Sequence, residues 1–282
     1  MVTLEGACVR IMHSVSVVKG GAVAIGLIII GDEILSGRYK DKHLSSVIQI
    51  LSERGLKLDW ARYLADDPEA IARILKEAYA ARDIVFCCGG IGSTPDDYTR
   101  QSAAVAFGRP LVMHPEARAE IEKRIREVSE NPDKPDYDSP DNVRRLMMGE
   151  FPEGSVIIPN PVSHFPGFSF GTLYFVPGFP QMAHPMIAWA LDMYHREIFN
   201  TGSEEILSVN VRGVGEAAVT PLLEHLVASF PEVKFFSLPH MGAKRTDNYI
   251  ELGVKGKKGK VEAAFESLLQ GLKAMDAQTK VQ

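Results

Sequence analysis

Three short segments gather residue types that can handle phosphate. The first is Gly31-Asp32-Glu33-Ile34-Leu35-Ser36-Gly37, with Asp41 shortly after. The second is Gly89-Gly90-Ile91-Gly92-Ser93-Thr94-Pro95-Asp96-Asp97-Tyr98-Thr99. The third is Pro177-Gly178-Phe179-Pro180-Gln181. In the second, side-chain-free positions 89, 90 and 92 let the backbone approach a ligand and turn its N–H groups inward. That loop is expected to lead into a helix N-terminus, where orphan N–H groups and the dipole favour an anion. Ser93, Thr94 and Thr99 add hydroxyl donors. Gly31, Gly89, Gly90, Gly92, Pro177 and Gly178 complete the expected cradle. Asp96 and Asp97 would repel a bare phosphate. A divalent cation (Mg²⁺, Mn²⁺ or Co²⁺) on Asp32, Glu33, Asp96 and Asp97 would offset them, because hard cations take carboxylates together with phosphate oxygens. Such a metal polarises phosphorus and lowers the pKa of an attacking water. With no histidine placed as a base, Asp96 or Asp97 must serve as the catalytic carboxylate. The expected ligand is a phosphorylated or pyrophosphate-bearing small molecule.

The same residues have plainer uses. Asp97 suits a capping box opened by Thr94, and Asp96 suits the first turn of a helix without any chemistry. Gly89 and Gly90 serve equally to turn the chain. What favours chemistry is three such loops at one sheet edge, which turn formation does not require. A dinucleotide fingerprint fails: Pro95 stands where the last glycine belongs, and the loop does not follow the first strand. No Gly-x-Ser-x-Gly elbow and no Gly-x-x-x-x-Gly-Lys loop occurs, against an α/β-hydrolase and a P-loop enzyme. Cys87 and Cys88 end a buried strand, face opposite ways and suit no zinc site. His114, His184 and His240 each adjoin a proline and read as loop or cap residues. Lys255, Lys257, Lys258 and Lys260 read as a solvated basic turn.

These loops must be positioned by regular elements, and the pattern supplies them. Val23 to Ile30 is a nearly continuous aliphatic run, as in a parallel strand buried on both faces. Leu44, Val47, Ile48 and Leu51 recur at helical spacing, with Gly55 as the stop. Leu56 to Arg62 alternates like a strand. Asp67-Pro68 starts a helix carrying Ile71, Ile74, Leu75 and Ala78, and Asp83 to Cys88 is the next buried strand. Thr94 is expected to cap a further helix that Gly108 ends. Residues 129–141 read as a surface loop, Val156–Ile158 and Leu173–Val176 as strands, and Gln181–Tyr194 as a helix. After Asn200-Thr201-Gly202 the pattern resets to strand (Ile206–Arg212), helix (Ala217–Ser229), strands (Val233–Leu238, Tyr249–Val254) and helix (Val261–Met275). The expected fold is α/β, a three-layer α/β/α parallel sheet, with a second, small α+β unit. The expected boundaries are an extension at 1–21, the main domain at 22–201 and the small one at 202–277.

Composition bounds the rest. The 282 residues are 45% apolar and 24% charged, which excludes collagen-like and disordered classes. With 31 basic against 36 acidic residues, the net charge of −5 argues against a general nucleic-acid binder. Three cysteines make no disulfide framework, so a reducing cytoplasm is expected. The longest apolar run, Ala22–Ile30, is about half a membrane span, so no membrane association is expected. A homo-oligomer is the expected assembly.

On the three segments, the chain resembles the molybdopterin-binding (MoaB/MogA-like) superfamily, most closely the amino-terminal part of the CinA family. Asn160-Pro161-Val162, Pro166-Gly167-Phe168 and Val176-Pro177-Gly178-Phe179-Pro180-Gln181-Met182 extend the resemblance, and Arg212-Gly213-Val214-Gly215-Glu216 marks a KH-like unit. It runs over about residues 23–275. The resemblance implies a crevice that binds molybdopterin or a nucleotide, and for the CinA type a metal-dependent ADP-ribose pyrophosphatase. A non-catalytic pterin or nucleotide binder is the alternative. Longer members end in a nicotinamide-nucleotide deamidase domain, an activity expected to be absent from these residues. The chain departs from the family at His43 (usually asparagine), Ser163 (glycine), Phe179 (proline) and Gln181 (an acidic residue). The last removes a carboxylate ligand and weakens the case for metal-dependent hydrolysis. RNA binding by the small domain would rest on Gly242-Ala243-Lys244-Arg245, which ends in arginine where such loops end in glycine.

Overall fold

A computed structural model describes residues 23–201, 204–241 and 248–281. The expected extension at 1–21, Gly202 and the Gly242-Ala243-Lys244-Arg245 loop lie outside the described residues. The aliphatic run forms β1 (Ile25–Ile30), buried throughout. A single turn, α1 (Asp32–Leu35), precedes α2 (His43–Ser52). Then come β2 (Trp60–Leu64), α3 (Pro68–Ala81), β3 (Ile84–Cys88) and α4 (Thr99–Phe107). Next are β4 (Leu111–Met113), α5 (Pro115–Val128), α6 (Pro140–Met147) and β5 (Glu150–Pro152). The strands β6 (Val156–Ile158), β7 (Gly167–Phe170) and β8 (Leu173–Val176) lead to α7 (Pro180–Tyr194).

By contacts, the described chain falls into two compact units. One takes the chain up to Asp41 with Leu58–Met186, the other Lys42–Lys57 with the chain from Ile187 on. In the first, the sheet order is β2-β1-β3-β8-β7-β6. The strands β2, β1, β3 and β8 pair in parallel, while β7 runs antiparallel to both of its neighbours, β8 and β6, so the sheet expected to be parallel is mixed. One face carries Ile28, Ile30, Val85, Cys87 and Phe175, packed with Ile71, Leu75 and Ala78 of α3 and Ala103 of α4. The opposite residues Leu27, Ile29, Phe86 and Cys88 are buried too, as a sheet covered on both faces requires. Cys87 and Cys88 are buried free thiols, and burial pushes both well above the ordinary thiol range. Phe151, Phe168 and Phe175 stack in series, with centroids 4.6 and 4.3 Å apart.

Asp67 starts α3 as its sequence predicts, its side chain accepting from the N–H groups of Glu69 and Ala70. Two expectations shift. The strand expected at Leu56–Arg62 lies at Trp60–Leu64, and α6 begins at Pro140, inside the stretch expected to be loop.

The second unit holds the small α+β element: β9 (Glu204–Arg212), α8 (Glu216–Ser229), β10 (Lys234–His240), β11 (Tyr249–Lys257), α9 (Val261–Ala274) and β12 (Gln278–Val281). Its antiparallel sheet has the order β10-β11-β9-β12. Val209, Val211, Leu252 and Val254 face Val219 and Leu226 of α8 and Leu268 and Leu272 of α9. Among the described residues, no helix is long and apolar enough to cross a membrane.

Candidate functional site

The three loops leave neighbouring strand ends. Register pairs Ile30 with Leu64, Ile29 with Cys88, and Cys88 with Val176. Gly31, Gly89 and Pro177 therefore emerge side by side at the carboxyl edge, where open α/β sheets bind ligands. The Gly31 N–H donates to Leu64 O at 3.1 Å and the Gly89 N–H to Val176 O at 3.0 Å. Gly89 sits at φ +108, and a Cβ there would stand 2.3 Å from Ile30 O. A Cβ on Gly178 would lie 3.5 Å from Gly89 Cα, so this part of the expected cradle is assembled.

The helix expected at Thr94 starts instead at Thr99. Asp97 Oδ2 accepts the Thr94 N–H at 2.8 Å and the Thr94 hydroxyl at 2.5 Å. Half a capping box thus forms, but it closes one turn through Pro95 rather than opening a helix. Tertiary bonds at Thr99 decide the start. Its N–H donates to Gly90 O at 2.9 Å and its hydroxyl to Gly89 O at 2.9 Å. Gly90, at φ +68, has no room for a Cβ, which would lie 2.2 Å from that hydroxyl oxygen. Thr99 is fully buried, so it shapes the loop and is not the ligand donor expected of it. The Thr99→Val variant keeps the shape but orphans a buried carbonyl. It is expected to lose about 1–3 kcal/mol in chemical denaturation.

Among the described residues, the N–H groups of Gly90, Ile91, Gly92 and Ser93 donate to no protein acceptor. Four consecutive donors at a strand end are thus left without a protein acceptor, backbone of the kind that can hold an anion.

The carboxylates lie to one side. Asp32 N–H donates to Asp66 Oδ2 at 2.9 Å, and Asp66 N–H returns to Asp32 Oδ1 at 3.3 Å. Partial burial raises the Asp66 carboxyl above its ordinary value; the charges of Asp32, Glu33 and Asp96 add to this, and the Asp32 N–H opposes it. Asp96 is exposed, and the nearby Thr94 hydroxyl dipole and its own N–H hold its carboxyl below the ordinary value. Asp66 thus sits with Asp32 at this edge, a carboxylate that sequence reasoning did not single out. Its signal was its place just past the end of β2.

The expected metal set does not assemble. Among the described residues, no three His, Cys, Asp or Glu side chains stand together as a metal-binding group. Asp97 is turned onto Thr94 and Asp32 is paired with Asp66, so Asp32, Glu33, Asp96 and Asp97 do not converge. These residues do not fit a metal in this arrangement.

Arginine charge also meets the loop, on the face that Asp97 lines. Arg100 is 4% exposed; its Nη2 donates to Gly92 O at 2.8 Å and its Nη1 to Met147 O. Its buried Nε has no partner among the described residues. Burial pulls the guanidinium below its ordinary value, with Glu150 and Asp97 pulling the other way, and it stays cationic. A cavity of about 310 Å³ opens between the loop and α6, lined in part by Thr94, Arg100, Gln101 and Arg144.

The family described as "Probable molybdopterin binding domain" matches residues 26–196. A CinA-like protein of Citrifermentans bemidjiense is 31% identical over 204 residues, 71% of this chain and 47% of its own. A protein of Pyrobaculum calidifontis is 26% identical over 259 residues, 88% of this chain and 95% of its own. The crystal structure of the CinA protein of unknown function from Thermoplasma acidophilum has a TM-score of 0.51 at 25% identity. It covers 60% of this chain and 97% of that one. The chain spans about half the length, or less, of the CinA-like relatives it matches. With its mostly parallel sheet, its glycine loop at the carboxyl edge and its added antiparallel unit, the chain belongs to the molybdopterin-binding-domain family, in its CinA-like form.

Proposed function

We propose that this sheet edge binds a phosphate-bearing pterin or nucleotide, with a phosphate seated on the glycine loop. The four unspent N–H groups from Gly90 to Ser93 carry the reading. They suit phosphate oxygens, while Asp32 and Asp66 suit the amino or hydroxyl donors of a pterin, purine or ribose. Calorimetric titration with ADP-ribose and with molybdopterin is expected to show saturable binding of at least one. The Asp97→Ala variant releases Thr94 and loosens the turn. It is expected to weaken binding about tenfold, or about 1.4 kcal/mol. No heat with either ligand would overturn the proposal.

A second reading, pyrophosphate hydrolysis of ADP-ribose, is favoured by the Asp32–Asp66 pair at the same sheet edge, where partial burial raises the Asp66 carboxyl. The unassembled carboxylate set favours binding without turnover. Incubation with ADP-ribose and Mg²⁺, Mn²⁺ or Co²⁺ separates the two. Release of AMP that Asp66→Asn abolishes would establish the hydrolase.

A further inference from the structure

Helices cover one face of the small antiparallel sheet. Val209, Val211, Ile250, Leu252 and Val254 point to α8 and α9, so strand alternation turns the residues between them to the opposite face. Ile206 and Leu238 on that second face are each more than half exposed.

Register sets the second face out in rows. Across one end, His240 of β10, Tyr249 of β11 and Arg212 of β9 stand side by side. The His240 and Tyr249 rings stack with centroids 4.6 Å apart and planes 11° from parallel. The Arg212 guanidinium lies over the Tyr249 ring, 5.9 Å from its centroid. The strand order puts β10 and β9 on either side of β11, so the stack runs Arg212, Tyr249, His240 and ends on an exposed imidazole. Lysines flank it: Lys280 is in register with Asn210, and Lys255 with Lys234. Glu251 is the carboxylate among them, and at the far end Lys257 and Glu204 stand in register and offset each other.

This pairing of flat rings with flanking cations narrows the occupant. Every nucleobase has a π-face, and an aromatic platform takes it with little regard to sequence. In a duplex those faces are already stacked inside, so an unpaired strand fits where a double helix does not. An acidic protein surface would meet the lysines but would leave the rings without a stacking partner. The net charge of −5 belongs to the whole chain, whereas a binder needs a local excess. Here Arg212, Lys234, Lys255 and Lys280 face the single carboxylate of Glu251. None of these residues belongs to the 242–245 loop.

We infer that this sheet face binds single-stranded nucleic acid. One base continues the stack on His240, and the strand's phosphates lie along Lys255 and Lys280.

Fluorescence anisotropy on the full chain reads this, with a labelled uridine or thymidine strand of about 12 nucleotides ending in a 5′-hydroxyl. Saturable binding is expected, with a duplex of the same length bound at least tenfold more weakly. His240→Ala is expected to weaken binding about tenfold, and His240→Phe to restore it, a split that a general loss of fold would not give. Lys280→Ala, on the exposed edge strand β12, is expected to flatten the salt dependence by roughly 0.7 in log–log slope. Excess ADP-ribose leaves the strand bound, because the glycine loop takes no part. Absence of saturable binding, equal affinity for the duplex, displacement by ADP-ribose or an unchanged His240→Ala variant would each overturn the inference. If sedimentation shows self-association that His240→Ala abolishes, and no strand binds, the face is an interface between copies of this chain and the inference falls.

Discussion

Gly89→Ala is expected to cost about 3–5 kcal/mol of stability and to remove ligand binding altogether. The added methyl group would meet the backbone oxygen of Ile30 at 2.3 Å, and φ at this residue is +108. Backbone cannot step aside as a flexible side chain can, so β1 and β3 must separate or the loop must refold. Either route moves the Gly90–Ser93 donors. Gly37→Ala is the matched comparison. Its φ is +72 but nothing lies within 4 Å of the new methyl, so only left-handed strain of about 1 kcal/mol is expected. Chemical denaturation of both variants checks the contrast. Equal losses would show that the close approach of β1 to Gly89 contributes nothing.

His195 should give the second unit a steep acid limit. It is 2% exposed, and burial lowers its imidazole from 6.5 to about 4, with Glu197 opposing. The unfolded chain therefore takes up a proton before the folded one does. This contribution is complete above pH 6.5 and is lost as pH falls from 6.5 toward 4, by about 3 kcal/mol in full. Denaturation at pH 7, 5.5 and 4 should show that decline, and His195→Gln should flatten it whatever its effect at pH 7. A slope unchanged in the variant would assign the acid limit to other groups.

Much of the frame was legible in the sequence because burial on both faces leaves a continuous aliphatic signature, as at Ile25–Ile30 and Ile84–Cys88. Asp67-Pro68 was legible because its cap is local. Most elements of the small unit were legible because one buried face gives a period, but the edge strand β12 (Gln278–Val281), exposed throughout, was not expected. Thr94–Asp97 misled because a capping signature is short-range, whereas Thr99 is fixed by bonds to Gly89 and Gly90. Asp66 was missed because β2 was expected to end at Arg62, two residues before its actual end at Leu64, which hid the fact that Asp66 lies at the sheet edge. The metal set failed for a different reason. Sequence proximity grouped the carboxylates, but Asp97 is turned onto Thr94 and Asp32 onto the Asp66 N–H, and no three form a metal-binding group among the described residues.

The clamps on the glycine loop bear on how fast a ligand is held and released. Thr99, Arg100 and Asp97 fix the loop through its own backbone and the Thr94 side chain, with no ligand needed to complete them. Little ordering entropy remains to be lost on association, so the cradle is preorganised. Encounter then need not wait for a conformational step. Differences in affinity among phosphate ligands should appear mainly as differences in residence time, with association rates nearly constant across the series.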